Sequence, residues 1–192
     1  MNRARFLFEI TETILEHLEP GRVGIKIGPM NIPSLTPGYR PRDGINVGSV
    51  KISGPFAANA DTLPDMEYVI KRLNDYHLAH LLLMGANADF TGSPLEQLAG
   101  DGMFEHFRPL FHGHIIANVE MTQERGNRLI KTGLADSIAF GRPYIANPDL
   151  PMRFLRGAEL NEVNWPTVYA SGPKGYTDYP PLIESLSHQE WQ

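Results

Sequence analysis

A glycine and an arginine at the end of a short apolar run are the residues of this chain that indicate chemistry most directly. Residues 137–140 form an apolar run of strand length, and Gly141 and Arg142 follow it. Glycine lets a backbone approach a bound anion closely, and a guanidinium can hold the same anion through two parallel hydrogen bonds. The pair therefore predicts a phosphate-binding site at the carboxyl end of a strand.

The residues on either side of this pair predict the elements that position it. Before the strand, Thr122 is placed to cap a helix and Gly133 is placed to close it. Beyond the pair, Asn147, Pro148 and Asp149 supply a helix cap, a first-turn proline and an acid at the positive pole of a helix. We therefore expect a helix, a strand, a turn at the glycine and arginine, and a second helix that begins at Asn147 and ends near Gly157.

A longer run around the pair resembles a known family. Residues 140–150, Phe-Gly-Arg-Pro-Tyr-Ile-Ala-Asn-Pro-Asp-Leu, look like the signature of the old yellow enzyme family, the FMN-dependent ene-reductases. Residues 22–29, 111–116 and 175–180 resemble further family segments, in the same order and at approximately the same spacing. The resemblance covers nearly the whole chain, but only the carboxyl-terminal half of the family's barrel.

This resemblance implies roles for individual residues. Lys26 stands where the family has a basic residue beside the flavin ring, and Gly141 and Arg142 stand where the family holds the flavin phosphate. Tyr176 matches the tyrosine that lines the substrate pocket, and it is the predicted catalytic residue. The family's backbone contacts to the phosphate fall on Asn118, Val119 and Glu120.

The reaction that the resemblance implies is hydride transfer from NAD(P)H through FMN to an electron-poor alkene, with the cofactor performing the chemistry. Three residues depart from the family pattern. Lys26 replaces the usual arginine, while Val119 and Glu120 stand where glycine and a small or amide residue are usual. Valine resists left-handed backbone angles, and a carboxylate repels a phosphate. The alternative function is therefore a degenerate flavin-fold homologue that acts as a non-catalytic binding or interaction module.

The order of helices and strands predicts a repeated β/α unit. Apolar runs at residues 23–27, 79–84, 114–118 and 137–140 alternate with helical patterns, which predicts an α/β fold with about four parallel strands. Four strands are half of the eight in a TIM-type β/α barrel, and the 192 residues of the chain are too few for a complete barrel of about 250 residues.

A half barrel leaves two unpaired strand edges and an open apolar interior. We therefore expect the barrel to be completed by association. The partner is either a second copy of the chain, which gives a homodimer, or a complementary chain that carries the amino-terminal half of the barrel. The alternative to association is a sheet that stays open and rearranges. A homodimer that binds a different phosphate ligand through Gly141 and Arg142 is a third possibility.

The chain is expected to be a single domain over residues 1–192, with an extended tail at 158–192. Residues 30–63 are rich in glycine and proline and follow a barrel-type strand, so they predict a long loop or lid over the active-site face. The first helix is expected to be capped by Asn2. Its predicted buried face consists of apolar residues at a spacing of four, widened by two leucines; these are Phe6, Ile10, Ile14 and Leu18, with Leu7 and Leu15.

Charge and composition exclude several classes of function. The net charge is -5 and the pI is about 5.8, which argues against binding to nucleic acid or to an anionic membrane. The absence of cysteine excludes disulfides and thiolate metal sites, and it favours a cytoplasmic location. His77 and His80 flank a strand at a spacing that does not suit a shared metal ion, so no metal site is expected.

Overall fold

A parallel sheet with helices between its strands forms the first part of the fold. The computed structural model describes residues 2–28, 60–85, 93–168 and 172–182. The strands are β1 (Gly24–Ile27), β2 (His80–Met84), β3 (Ile115–Asn118) and β4 (Ser137–Ile138). They lie in the order β1-β2-β3-β4 and every neighbouring pair is parallel. The predicted α/β fold with about four parallel strands is confirmed, although β4 ends at Ile138 and not at Phe140.

A helix precedes each strand of this sheet. The helices are α1 (Arg5–Leu15), α2 (Thr62–Leu73), α3 (Gly102–Phe107) and α4 (Gln123–Lys131). The hydroxyl of Thr122 accepts a hydrogen bond from the Arg125 N–H at 3.1 Å, so α4 begins with a side-chain cap. Gly133 has a φ of +72°, in the left-handed region that favours glycine after a helix. Both boundaries of α4 agree with the sequence prediction.

The two faces of the sheet differ in burial. Side chains alternate between the faces along each strand, and paired residues of neighbouring parallel strands lie on the same face. The helix-covered face is sealed at its centre, where Leu81, Leu83, Ile115 and Ala117 are fully buried. The opposite face carries no fully buried side chain within β1 to β4. Its residues are Gly24, Lys26, His80, Leu82, Met84, Ile116, Asn118 and Ser137.

The prediction for the buried face of α1 is wrong. Phe6 and Leu18 are 72% and 49% exposed, and Ile10 and Ile14 are 42% and 38% exposed. Phe8 and Thr11 are the buried residues of α1. The face that packs is the one that meets α2, and the spacing of the apolar residues alone does not decide which face that is. The helix also begins after a 3-10 turn at Asn2–Ala4, with Ala4 and not Asn2 at its cap position.

Aromatic packing and polar pairs hold α1 against α2 and the turn that follows it. The Phe8 ring lies edge-on to Tyr68 and stacked on Tyr76, with centroid distances of 6.0 and 6.1 Å. The hydroxyl of Tyr76 donates a hydrogen bond to a Glu12 carboxylate oxygen at 2.6 Å. Burial, together with this hydrogen bond to Glu12, raises the pKa of Tyr76 to about 12.

The residues after the sheet form a second set of elements, which includes two short helices. The helices are α5 (Arg142–Ala146) and α6 (Leu150–Arg156). The predicted helix after Asn147 is α6, but it begins at Leu150 with Asp149 and not Asn147 at its cap position. The short helix α5, which ends before Asn147, was not predicted. The predicted end of the second helix is correct, since Gly157 follows α6 with a φ of +60°.

The chain divides into two compact units. Within the described residues, the first unit contains 2–28, 60–85 and 93–139, and the second contains 140–168 and 172–182. The expectation of a single domain stays a prediction. Most of the predicted loop at 30–63 lies outside the described residues, and the end of that range already belongs to α2. No helix in the described part of the chain is long and apolar enough to cross a lipid bilayer.

Candidate functional site

The residues predicted to form the site divide between the two units. Lys26, Asn118, Val119 and Glu120 belong to the first unit, and Gly141, Arg142 and Tyr176 belong to the second. In the first unit, Lys26 is an exposed residue of β1, and the other three lie at the carboxyl end of β3. In parallel β/α folds, active sites lie at this end of the strands.

The sheet register places Lys26 and Asn118 on one face of the sheet. Lys26 pairs with Leu82 and Asn118 pairs with Met84, so both residues lie on the sheet face that carries no fully buried side chain. Lys26 is on one side of β2 and Asn118 is on the other. The Asn118 side-chain amide donates a hydrogen bond to the Ala139 carbonyl at 2.9 Å. This contact fixes the amide between the end of β3 and the residue that follows β4.

The backbone turns sharply directly after β3. Val119 and Glu120 have φ angles of +83° and +50°, both in the left-handed region. For a β-branched residue such as valine this conformation is unusual and costs about 1–3 kcal/mol. Val119 therefore has left-handed backbone angles that glycine adopts easily and valine does not. Strain of this kind persists only where the surrounding structure enforces it.

Arg125 of α4 is the residue that enforces this turn. Its guanidinium donates hydrogen bonds to the carbonyls of Val119 at 3.0 Å and Gly100 at 3.1 Å. Its Nε donates to a carboxylate oxygen of Asp101 at 2.8 Å, and the Arg128 guanidinium donates to the other oxygen at 2.6 Å. The turn is thus tied both to α4 and to the residue at the start of α3.

The two arginines also change the acidity of Asp101. Burial by itself would raise the pKa of this carboxyl, but the hydrogen bonds from Arg128 and Arg125 outweigh it and hold the pKa below its usual value. Asp101 therefore remains a carboxylate at neutral pH. Sequence analysis missed Arg125 and Asp101. The spacing of Arg125 and Arg128 shows only that they share a helix face, and nothing in the sequence links that face to Asp101.

In the second unit, Gly141 and Arg142 form the start of α5 and not a free turn. Gly141 is the exposed cap residue, with a φ of -95° that any residue can adopt. A side chain at Gly141 would meet no heavy atom within 4 Å. The chain's own packing therefore does not require glycine here, and the space beside the backbone is open to a ligand. Arg142 is half-buried, and its guanidinium carbon lies 5.4 Å from the centre of the Trp165 ring, which is a cation–π contact.

A buried polar network fastens the tail to α5 and α6. Asn147 is fully buried; its amide donates to the Pro143 carbonyl at 2.8 Å and its oxygen accepts the Asn161 N–H at 2.7 Å. Arg153 is 5% exposed and donates to the carbonyls of Glu159 at 2.6 Å and Pro180 at 2.9 Å. Sequence analysis assigned Asn147 to a helix cap, but the structure shows that it anchors the tail.

Asp149 completes this network. It accepts a hydrogen bond from the Arg153 Nε at 2.8 Å and a second one from the Leu182 N–H at 2.5 Å. Burial opposes ionisation of Asp149, but these bonds from Arg153 and Leu182 prevail and lower its pKa. The carboxylate therefore links α6 to the last described residue of the tail.

Tyr176 lies on a turn of the tail and is 42% exposed. The turn depends on the preceding Gly175, which has a φ of +80° and is buried against Thr167. A Cβ atom at Gly175 would lie 1.9 Å from the Thr167 hydroxyl oxygen. The Gly175 N–H donates to the Asp178 carboxylate at 2.6 Å. Local packing therefore fixes the backbone that carries Tyr176.

A cavity of about 280 Å³ occurs at the other end of the sheet. It opens near the beginnings of β2 and β3, whereas Lys26 and Asn118 lie towards the carboxyl ends of their strands. The described residues contain no group of three or more histidine or acidic side chains that could hold a metal ion. The cavity is lined by Leu73, Asn74, His77, Leu78, Phe111, His112 and Gly113.

Comparisons with known proteins point to one family. No protein-family model matches the chain. The chain is 30% identical over 184 residues to 12-oxophytodienoate reductase 2 of Arabidopsis thaliana, which covers 94% of this chain and 42% of the relative. It is 29% identical over 181 residues to a probable flavin mononucleotide-dependent alkene reductase of Leishmania infantum, covering 93% of this chain and 41% of the relative.

Solved structures show the same relationship. Morphinone reductase in complex with tetrahydroNAD superposes with a TM-score of 0.71 at 30% identity, covering 97% of this chain and 43% of that one. The old yellow enzyme of Trypanosoma cruzi superposes with a TM-score of 0.70 at 25% identity, covering 94% of this chain and 40% of that one. The predicted resemblance to the old yellow enzyme family is confirmed. The chain spans about two fifths of the length of the relatives it matches, which agrees with a partial barrel.

Proposed function

We propose that this chain, a homologue of old yellow enzymes over about two fifths of their length, is part of an FMN-dependent oxidoreductase of the ene-reductase type. The observation that carries the proposal is the match to an FMN-dependent alkene reductase across 93% of the chain. The matched part is less than half of that relative. We therefore propose in addition that activity requires a complementary half, which supplies the remaining strands of the barrel.

The residues of each unit, taken separately, suit a flavin. In the first unit, Lys26 is exposed on the sheet face that carries no fully buried side chain. Arg125 holds the turn at Val119 in a conformation typical of glycine. In the second unit, the backbone at Gly141 has open space beside it and is followed by the guanidinium of Arg142. A cation and an accessible glycine are the groups that a flavin ring and its phosphate need.

The chemistry that FMN supplies when bound is hydride transfer from NAD(P)H to an electron-poor alkene. Lys26 would place a positive charge beside the ring, which stabilises the negative charge that develops during reduction. Gly141 and Arg142 would hold the phosphate. Tyr176, exposed on its turn, would line the substrate pocket. The proton donor and the groups that activate the substrate would come from the complementary half.

The test is to purify the chain alone, and also together with a candidate complementary chain, and to record the visible flavin spectrum and enone-dependent NADPH oxidation. We expect flavin absorbance and turnover only in the paired sample. Lys26→Met should lower the rate of flavin reduction about tenfold through the loss of one nearby charge. Lys131→Met, at an exposed position at the end of α4, is the matched control and should have no effect. Absence of flavin from every pairing would refute the proposal.

A second candidate function is a non-catalytic binding module. It is favoured by the strained Val119 and by Glu120, which places an exposed carboxylate at the turn where the family binds phosphate. In that case the paired protein would bind flavin weakly or not at all and would not oxidise NADPH. Tight, stoichiometric flavin binding with enone reduction would exclude this candidate. A cytoplasmic location is part of the first proposal and is checked by cell fractionation.

A further inference from the structure

Arg125 uses all three nitrogens of its guanidinium to hold groups of the chain itself. Nη1 donates to the carbonyls of Val119 at 3.0 Å and Glu120 at 3.5 Å. Nη2 donates to the Gly100 carbonyl at 3.1 Å, and Nε donates to an oxygen of Asp101 at 2.8 Å. The side chain is 16% exposed. The guanidinium is therefore directed at the protein and not at a ligand.

Asp101 gives up a local role in order to hold Arg125. It stands at the cap position of α3, where an aspartate side chain usually accepts a hydrogen bond from the first turn of its own helix. The side chain of Asp101 makes no such bond. Its two oxygens accept from Arg125 at 2.8 Å and from Arg128 at 2.6 Å. The carboxylate therefore fixes the guanidinium that holds the turn after β3.

The contacts of Arg125 also fix the direction of two backbone N–H groups. In a trans peptide, the C=O of one residue and the N–H of the next point in opposite directions, and the described residues contain no cis peptide bond. Since Arg125 holds the carbonyls of Val119 and Glu120, the N–H groups that follow them point away from its guanidinium. These are the N–H groups of Glu120 and Met121. Successive N–H donors at a turn after a parallel strand suit an anion.

We propose that Arg125, fixed by Asp101, is the positioning residue of a phosphate-binding turn at residues 119–121. Its hydrogen bonds impose the left-handed backbone that a glycine would adopt by itself. It thereby directs two N–H groups at the phosphate of FMN without touching the phosphate. The exposed carboxylate of Glu120 weakens this grip but leaves the donors in place, because they belong to the main chain. This inference rests on the proposed function, because it assigns part of the contact with the flavin phosphate.

Arg108 offers a matched comparison at the opposite end of β3. Its guanidinium donates to the carbonyls of Phe111 at 2.6 Å and Gly113 at 2.9 Å, and to an oxygen of Asp136 at 2.8 Å. Its side chain is 20% exposed, close to the 16% of Arg125. Neither Phe111 nor Gly113 has a positive φ. Loss of Arg108 should therefore cost about as much stability as loss of Arg125 without changing the turn after β3.

The first experiment compares FMN with riboflavin, which has the same ring system but no phosphate, in the preparation that tests the proposed function. Quenching of flavin fluorescence gives the dissociation constants. Arg125→Met should weaken FMN binding about tenfold, as for the loss of one hydrogen bond to a charged group, and should leave riboflavin binding unchanged. Val119→Gly added to Arg125→Met should restore the affinity for FMN, because glycine adopts left-handed angles unaided. Arg108→Met should change neither affinity.

The second experiment needs no flavin. Inorganic phosphate is titrated into the isotope-labelled full chain, and the amide resonances of Glu120 and Met121 are followed by NMR. We expect both resonances to move in the parent, in Arg108→Met and in the restored double variant, but not in Arg125→Met. Circular dichroism checks that each variant is folded. Arg125→Lys keeps the charge but not the planar fork, so it should show an intermediate loss, and it replaces Arg125→Met if that variant does not fold.

Four results would overturn the inference. They are FMN binding by Arg125→Met as tight as in the parent, an equal loss of riboflavin affinity, no restoration by Val119→Gly, and no movement of either amide when phosphate is added to the parent. Failure of the proposed function looks different. In that case phosphate moves the two amides in a manner that depends on Arg125, but no preparation binds flavin, and the turn stands as a site for another phosphate compound.

Discussion

The centre of the sheet and its β1 margin are built from similar residues but have different surroundings. At the centre, Leu83 of β2 is fully buried. Its register partner on β1, Ile27, is half-buried. On α1, which leads into β1, Phe6 is 72% exposed while Phe8 is buried. Apolar residues are therefore present in both regions, but the central region buries more of them.

This difference shows which part of the fold is complete within the described chain. Burial of apolar area contributes about 25 cal/mol per Å², and it does so only where another surface excludes water. The centre of the sheet meets this condition, because Leu81, Leu83 and Ile115 are fully buried. The margin does not, so its exposed apolar residues contribute little. The following substitutions test this distinction, from the largest expected effect to the smallest.

The largest effect is expected at the centre of the sheet. Leu83→Ala should lower the free energy of unfolding by about 3 kcal/mol, because it leaves a cavity in a sealed region. Ile27→Ala, at the register partner on β1, should cost only about 1 kcal/mol, because that side chain is only half-buried. Urea unfolding followed by circular dichroism measures both. Equal losses would show that the β1 margin is packed as tightly as the centre.

The second largest effect on stability is expected at Asp101, whose carboxylate joins the start of α3 to α4. Asp101→Asn should cost about 2 kcal/mol at neutral pH, because it removes the charge from hydrogen bonds to two arginines. Since the pKa of Asp101 is lowered in the folded chain, its contribution is complete above the unfolded pKa of about 4 and is lost as the pH falls through the folded pKa. The penalty of the variant should therefore shrink on acidification.

Asp75→Asn is the control for this prediction. Asp75 is 57% exposed and forms a surface pair with Arg72. Surface pairs contribute about 0–1 kcal/mol, so the control should change stability little. Urea unfolding at several pH values between neutral and acid compares the two variants. A penalty for Asp101→Asn that stays constant over this range would contradict the assignment.

The third effect is a gain of stability when the strain at Val119 is removed. Val119→Gly should stabilise the chain by about 1 kcal/mol, because glycine adopts the left-handed angles at the end of β3 without strain. Val69→Gly within α2 is the control and should destabilise the chain by about 1 kcal/mol or more. Thermal unfolding distinguishes the two signs. If both variants lose stability, the turn at Val119 is not strained.

The smallest effect is expected at Phe6, on the exposed side of α1. Phe6→Ser should change the free energy of unfolding by less than about 0.5 kcal/mol, because the side chain is already largely in water. Phe8→Ala, on the opposite side of the same helix, should cost about 3 kcal/mol through loss of packing on Tyr68 and Tyr76. A large loss for Phe6→Ser in a monomeric sample would mean that Phe6 is covered within the chain itself.

Sequence reasoning was most successful where local rules decide the structure. The four strands, their parallel order, the Thr122 cap and the glycine that closes α4 follow from apolar runs and from backbone preferences. It was least successful where distant residues meet. The start of α6 was misplaced because Asn147 binds Asn161 of the tail, and this contact outweighs its preference for a helix cap. Arg125 was missed because its partners Gly100 and Asp101 lie far from it in the chain.

The sequence by itself determined the repeated β/α order, the glycine and arginine after the fourth strand, and the relationship to old yellow enzymes, because these depend on residue types at fixed spacing. Only the tertiary structure decided which side of α1 is buried, that β4 is short, and that Arg125 holds Val119 in a left-handed turn. The physical reason is that burial and strain depend on the groups that surround a residue in space. A helix with apolar residues on two sides buries the side that finds a neighbour, which in this chain is the side carrying Phe8.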